Sequence, residues 1–275
     1  MACLAVAFAC APAAAQNKPN QIKFEYAKPK NPAHQPILED LKRRRALELV
    51  QELLAPLRLP EPLLFKVEGC DGDANAWYED RTVTVCYELI EEFQRNAPRR
   101  DLAIGLSRQD TVIGPTVDTF LHESGHAIFD ILEIPVLGRE EDAADQFSAF
   151  IMLRLDKERA RRLILGTAYG YRSMQPGRQF VIMRRNTLAD EHSTPGQRMF
   201  NVLCMAYGAD KALFADVVEK KFLPKNRAEL CAMEYRDIAF AFIKLVGPHI
   251  DREAAKGFHE VWAFPPNARR GGLSR

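Results

Sequence analysis

Apolar positions recur at helical spacing from Ile37 to Leu54, and Pro56, Pro60 and Pro62 then break the pattern. The run Arg81-Thr82-Val83-Thr84-Val85 alternates polar and β-branched residues, which predicts a strand leading into a helix over about 87–95. A polar stretch follows as far as Gly114. Pro115, a favoured first-turn residue, then opens a predicted helix to about 132 that turns Val117, Phe120, Leu121, Ile128 and Ile131 toward the core. Beyond a short loop at 134–137, a second long helix is predicted from 140 to about 162, burying Phe147, Phe150, Ile151 and Leu155. Helices near 195–207, 211–220 and 226–246 complete a mainly helical second half. The pattern predicts an α+β fold, mainly helical, with a small β-sheet. Gly125 stands inside the first long helix, where it costs about 1 kcal/mol relative to Ala. Its presence implies that another backbone comes close, and a bound substrate strand is one candidate.

The two ends read differently. Residues 1–15 carry an apolar run from Leu4 to Pro12 and end in Ala13-Ala14-Ala15, the form of a secretory signal peptide with its cleavage site, although no basic residue precedes the run. Cys10 follows Phe8-Ala9, a poor setting for lipid attachment. Residues 16–36, rich in Pro, Lys, Asn and Gln, predict a flexible N-terminal arm, 37–264 a single domain, and 265–275 a loose tail.

Composition adds little beyond exclusions. With 38 Lys+Arg against 37 Asp+Glu the net charge is +1, so no nucleic-acid partner is implied. After the leader no run reaches the roughly 18 apolar residues of a membrane-spanning helix. Removing the leader leaves Cys70, Cys86, Cys204 and Cys231, an even number that suggests two disulfides in an exported, periplasmic or secreted protein. Cys70 and Cys86 flank the strand region, and Cys204 and Cys231 lie on consecutive helices, so those are the expected pairs. Four buried free thiols are the alternative.

The candidate chemistry lies in His122-Glu123-Ser124-Gly125-His126. On a helix, residues i and i+4 share a face, so His122 and His126 can both offer nitrogens to one Zn²⁺ with Glu123 beside them as a general base. The following helix supplies Glu141 and Asp145, also four apart. A catalytic zinc takes three protein ligands, and its histidines take carboxylate partners that fix their tautomers. Glu140 and Asp142 offer alternative registers, and all these acids also suit a helix N-terminus. A third element, Asp190-Glu191-His192-Ser193-Thr194-Pro195-Gly196-Gln197-Arg198, reads as a capped helix start with Pro195 in the first turn. A fourth, Asn75-Ala76-Trp77-Tyr78, precedes the predicted strand.

Over about 68–205 these segments resemble the gluzincin clan of zinc peptidases, whose thermolysin-like and CAAX-prenyl-endopeptidase-like members carry HExxH followed by ExxxD or ExxAD. Their wording is most similar to a bacterial family of metallopeptidase-like proteins of unknown function. The resemblance implies a gluzincin-like core with the β-sheet edge over the HExxH helix, and one Zn²⁺ per chain held by His122, His126 and Glu141. It assigns Asp145 to orienting a ligand histidine. His192 and Arg198 match the HPxxxxR element, although the proline stands here at 195 and not directly after the histidine. That match makes His192 the candidate for supporting the oxyanion, with Arg198 as its companion or a brace, and leaves Tyr78 as another donor. Asn75 and Ala76 match a segment where a peptide substrate adds to the sheet edge.

The expected function is zinc-dependent hydrolysis of peptide or protein substrates. The alternatives are a non-catalytic zinc-binding chaperone or assembly factor of the cell envelope, and a zinc amidase acting on peptidoglycan peptides. Because this sequence has no long apolar run, the substrates of the membrane-embedded prenyl endopeptidases do not carry over.

Overall fold

A computed structural model describes residues 21–174, 189–255 and Trp262. The leader at 1–15, residues 16–20 of the arm and the tail at 265–275 lie outside the described residues.

Four short strands build one sheet: β1 (Ile22–Tyr26), β2 (Leu63–Glu68), β3 (Ala76–Glu79) and β4 (Thr82–Cys86), in the order β1-β2-β4-β3. Leu63, Phe65 and Val67 alternate inward along β2 and are fully buried. β2 runs parallel to both β1 and β4, while β3 turns back antiparallel to β4 and forms an edge, with Ala76 opposite Val85. The turn between β3 and β4 holds both Asp80 and Arg81 at positive φ, 47° and 63°. This is the local twist that a two-residue hairpin requires.

β1 corrects the expected arm at 16–36, since it pairs with β2 from Ile22 opposite Leu63 to Tyr26 opposite Val67. Its only fully buried position is Ile22, so no alternation was there to be read. Tyr26 reinforces the pairing by donating from its hydroxyl to Glu48 at 2.7 Å.

The helices are α1 (Gln35–Arg43), α2 (Ala46–Leu54), α3 (Tyr87–Asn96), α4 (Asp110–Ile131), α5 (Glu140–Leu153), α6 (Lys157–Ser173), α7 (Pro195–Ala209), α8 (Ala215–Glu219) and α9 (Lys225–Leu245). The fold is therefore α+β and mainly helical, as the pattern predicts. Four boundaries differ, the simplest being α8, which begins at Ala215 and not near 211. The first predicted helix breaks between α1 and α2, where Arg45 takes a left-handed φ of 54°. α4 starts upstream of Pro115. The Ser107 hydroxyl accepts from the Asp110 amide (3.1 Å) while the Asp110 carboxylate accepts from the Ser107 amide (2.9 Å). This reciprocal capping sets the helix start and leaves Pro115 inside, where it forfeits one backbone bond. The predicted helix over 140–162 is two helices, because Asp156 accepts from the Arg159 amide at 3.1 Å and begins α6. Leu155, in that break, is half-buried.

α4 is the central helix, packing on α5, α6 and the β3 edge. Two glycine contacts allow this. A Cβ on Gly166 of α6 would lie 2.2 Å from the Asp110 carbonyl oxygen, so that crossing is backbone on backbone. A Cβ on Gly125 would lie 3.0 Å from Ala144 Cα and 3.2 Å from Ala144 Cβ. The close neighbour of Gly125 is thus α5. α5 is covered in turn by α9, where Phe242 stacks on Phe150 and Phe147 at centroid distances of 4.3 and 5.4 Å. Both expected disulfides are present: Cys70–Cys86 ties the loop after β2 to the end of β4, and Cys204–Cys231 ties α7 to α9. No described helix is long and apolar enough to cross a membrane.

Candidate metal centre

α4 presents His122, Glu123 and His126, α5 presents Glu140, Glu141 and Asp145, and the segment entering α7 presents His192. Close α4–α5 packing at Gly125 brings the first two sets together. His122 Nε2 lies 3.1 Å from Glu141 Oε2 and 3.3 Å from His126 Nε2, and His126 Nε2 lies 3.4 Å from Glu141 Oε1. A tetrahedral ion with bonds of ~2.0–2.1 Å to nitrogen and oxygen places its donors ~3.3 Å apart. The two imidazole nitrogens therefore stand at such a spacing from each other, and the Glu141 carboxylate meets them with one oxygen apiece, Oε2 toward His122 and Oε1 toward His126, a donor set whose chemistry suits zinc. His192 joins them: its Nε2 is 2.8 Å from Glu141 Oε2, and the donor atoms of His122, Glu141 and His192 lie within 4.8 Å of one another.

Two of the rings are backed by a carboxylate hydrogen-bonded at Nδ1, His122 by Asp145 (2.8 Å) and His126 by Glu140 (2.8 Å), while Asp190 stands 3.4 Å from His192 Nδ1. An acceptor at Nδ1 fixes the tautomer with the Nε2 lone pair facing inward. Glu140 faces the Nδ1 side of His126, whereas Glu141 faces its Nε2. Asp142, the other alternative register, accepts from the Ser193 hydroxyl at 2.7 Å and holds the His192 segment against α5. That segment is braced from the other side by the capping box of Thr194 and Gln197 at the head of α7.

The electrostatics favour positive charge at this point. Burial opposes a charged His122 ring, yet hydrogen bonds to Asp145 and Glu141 outweigh it and raise the ring to about 10. Burial would raise Glu141, but its hydrogen bonds with His122, His126 and His192 hold the carboxyl far below the usual range. Carboxylates that draw protons onto imidazoles draw a dication to the same place. Glu123 differs. It is 8% exposed, and burial pushes its carboxyl up.

Glu123 lines a cleft of about 160 Å³ together with His122, His192, Asn75 and Ala76. The β3 edge thus opens onto the candidate site, with Asn75 and Ala76 at its near end. Tyr78 is turned elsewhere, donating to Asp130 at 2.6 Å. Arg198 is a brace: its Nε donates to Asp145 Oδ2 at 2.8 Å, and its guanidinium lies 4.5 Å above the Tyr171 ring.

Behind Asp145 lies a network that sequence reasoning missed. Tyr171 of α6 donates to Asp118 Oδ2 at 2.7 Å and lies 3.3 Å from Asp145, and Ser148 of α5 donates to Asp118 Oδ1 at 2.6 Å. Asp118 is buried, and burial raises its carboxyl. Its signal was available: an acid one turn before His122 sits on the same helix face and interrupts an apolar stripe.

Residues 26–246 match the profile of a protein family of unknown function described as "Putative metallopeptidase". No curated protein and no solved structure matches the chain.

Proposed function

The chain belongs to the "Putative metallopeptidase" family, and on that premise we propose that it is a gluzincin-type zinc peptidase. The observation that carries this reading is the convergence of His122 Nε2, His126 Nε2 and the Glu141 carboxylate at 3.1–3.4 Å, with Asp145 and Glu140 behind the two rings. These three would hold one Zn²⁺. A bound zinc would supply Lewis acidity toward the scissile carbonyl and lower the pKa of a water toward ~7.

The remaining work falls to the chain. Glu123, desolvated in the cleft wall, takes the proton of the attacking water and later gives it to the leaving amine. Burial matters here because a carboxylate with a raised pKa is the stronger base. Asp145 holds His122 in the tautomer that presents Nε2 inward. Arg198 and Tyr171 fix Asp145 in turn. A peptide lying along the free edge of β3 would pass Asn75 and Ala76 and bring its carbonyl between Glu123 and His192, whose ring would donate to the oxyanion.

Two disulfides and the apolar leader support an exported, periplasmic or secreted enzyme whose first 15 residues are removed. One domain carries the site and extends beyond 37–264 on its N-terminal side to take in β1. Metal analysis of the purified protein tests the site. The expected result is one zinc per chain, lost in the His122→Ala/His126→Ala double variant; full zinc occupancy in that variant would remove the assignment.

A further inference from the structure

We propose that His192 is a fourth protein donor to the same ion, so that in this conformation four side chains close the site and His192 is the one that gives way to substrate. This deepens the zinc-peptidase reading and rests on it. A residue serving only an oxyanion has to face the substrate carbonyl. His192 instead directs Nε2 to within 2.8 Å of Glu141 Oε2, on the same oxygen that His122 Nε2 approaches at 3.1 Å. Its ring lies nearly parallel to that of His122, with centroids 6.3 Å apart and planes inclined by 24°. A carboxylate also stands near its Nδ1, Asp190 at 3.4 Å.

His192 also differs from them in ways that make it the exchangeable donor. His122 and His126 are fixed on α4 and their side chains are only 6% and 14% exposed; His192 stands on the segment before α7 and is 42% exposed. Its position depends on the Ser193–Asp142 hydrogen bond at 2.7 Å and the Asp190 contact with its backbone amide at 2.9 Å. Opening the site exchanges one nitrogen donor for one oxygen donor and needs no movement of α4 or α5. Once displaced, the freed Nε2 takes a proton from solvent, and the resulting N–H stands beside the substrate carbonyl, where it can serve the oxyanion.

The probe is Co²⁺, which takes zinc-like geometry and reports its ligands spectroscopically. X-ray absorption of the cobalt-loaded full chain is expected to count three imidazoles in wild type and two in His192→Ala. Azide is expected to perturb the visible cobalt bands of the variant at concentrations at least tenfold lower than in wild type. Two imidazoles in wild type, or equal azide sensitivity in the two proteins, overturns the proposal while leaving the three-ligand site intact. Wild type that takes up no cobalt overturns both this proposal and the zinc-peptidase reading. The wild-type count decides the matter even where the variant folds poorly.

Discussion

Replacing Asp145 by Ala removes the acceptor shared by His122 and Arg198, and its cost can be worked from the contacts. Asp145 accepts from His122 Nδ1 at 2.8 Å and from Arg198 Nε at 2.8 Å, and Arg198 is left with its side chain 18% exposed against the Tyr171 ring. Breaking a buried ion pair by removing one partner costs about 3–5 kcal/mol, because the other charge stays desolvated. The partial exposure of Arg198 places the loss near the lower bound, about 3 kcal/mol, or roughly 6–12 °C in Tm for a domain of this size. Zinc affinity should fall about 10–100-fold as His122 loses its orienting partner.

The pH dependence of this loss has a definite sign. Burial would raise the Asp145 carboxyl, but hydrogen bonds from His122 and Arg198 outweigh it and hold it below its ordinary value. A depressed carboxyl stabilises the fold fully above its unfolded pKa of about 3.9, and that contribution is lost as pH falls through the lower folded value. The stability gap between wild type and Asp145→Ala should therefore be full at pH 7 and narrow only under acid. Thermal unfolding monitored by circular dichroism, with chelator and with zinc, measures both quantities. A cycle with Arg198→Ala should be non-additive by at least ~1 kcal/mol, since the two residues share one interaction. A loss under ~1 kcal/mol for Asp145→Ala, or strict additivity with Arg198→Ala, would refute the reasoning.

Three further outcomes follow from neighbouring contacts. Glu141→Ala should abolish stoichiometric zinc binding while Glu140→Ala weakens it by about tenfold, as a ligand and a ligand's partner should differ; chelator competition compares them, and equal losses would contradict the register. Gly125→Ala should gain about 1 kcal/mol of helix propensity and lose more to the 3.0 Å contact with Ala144 Cα, leaving chemical denaturation shifted by about 1 kcal/mol net and zinc held less tightly, whereas a stabilised variant would show that α5 yields freely. Removing Cys204–Cys231, which spans 27 residues, should cost about 3–4 kcal/mol in the Cys204→Ser/Cys231→Ser protein, and an unchanged denaturation midpoint would show that this link leaves the unfolded chain unconstrained.

What was legible in the sequence was whatever depends on local spacing. The pairs His122/His126 and Glu141/Asp145 announce their helix faces through an i, i+4 interval, β4 shows alternation, and Pro195 after Thr194 marks a capped start. What escaped depends on contacts between distant segments. β1 buries a single side chain, so its membership of the sheet is decided by β2. The start of α4 was hidden by Pro115, which suggests an N-terminus, while the Ser107–Asp110 reciprocal cap lies upstream. Glu140 reads as a helix-start acid until α4 is packed against α5 and His126 faces it. Asp118, Ser148 and Tyr171 come from three helices, so only the packed fold places them under Asp145.

Turnover of a proteome-derived peptide library by wild type and Glu123→Gln tests the central claim most directly. The amide keeps the shape of the side chain and gives up its basicity, so the variant should retain one zinc per chain and a wild-type melting profile while cleavage falls by at least 10²-fold. A Glu123→Gln protein that holds its zinc and cleaves the library at the wild-type rate would contradict the account.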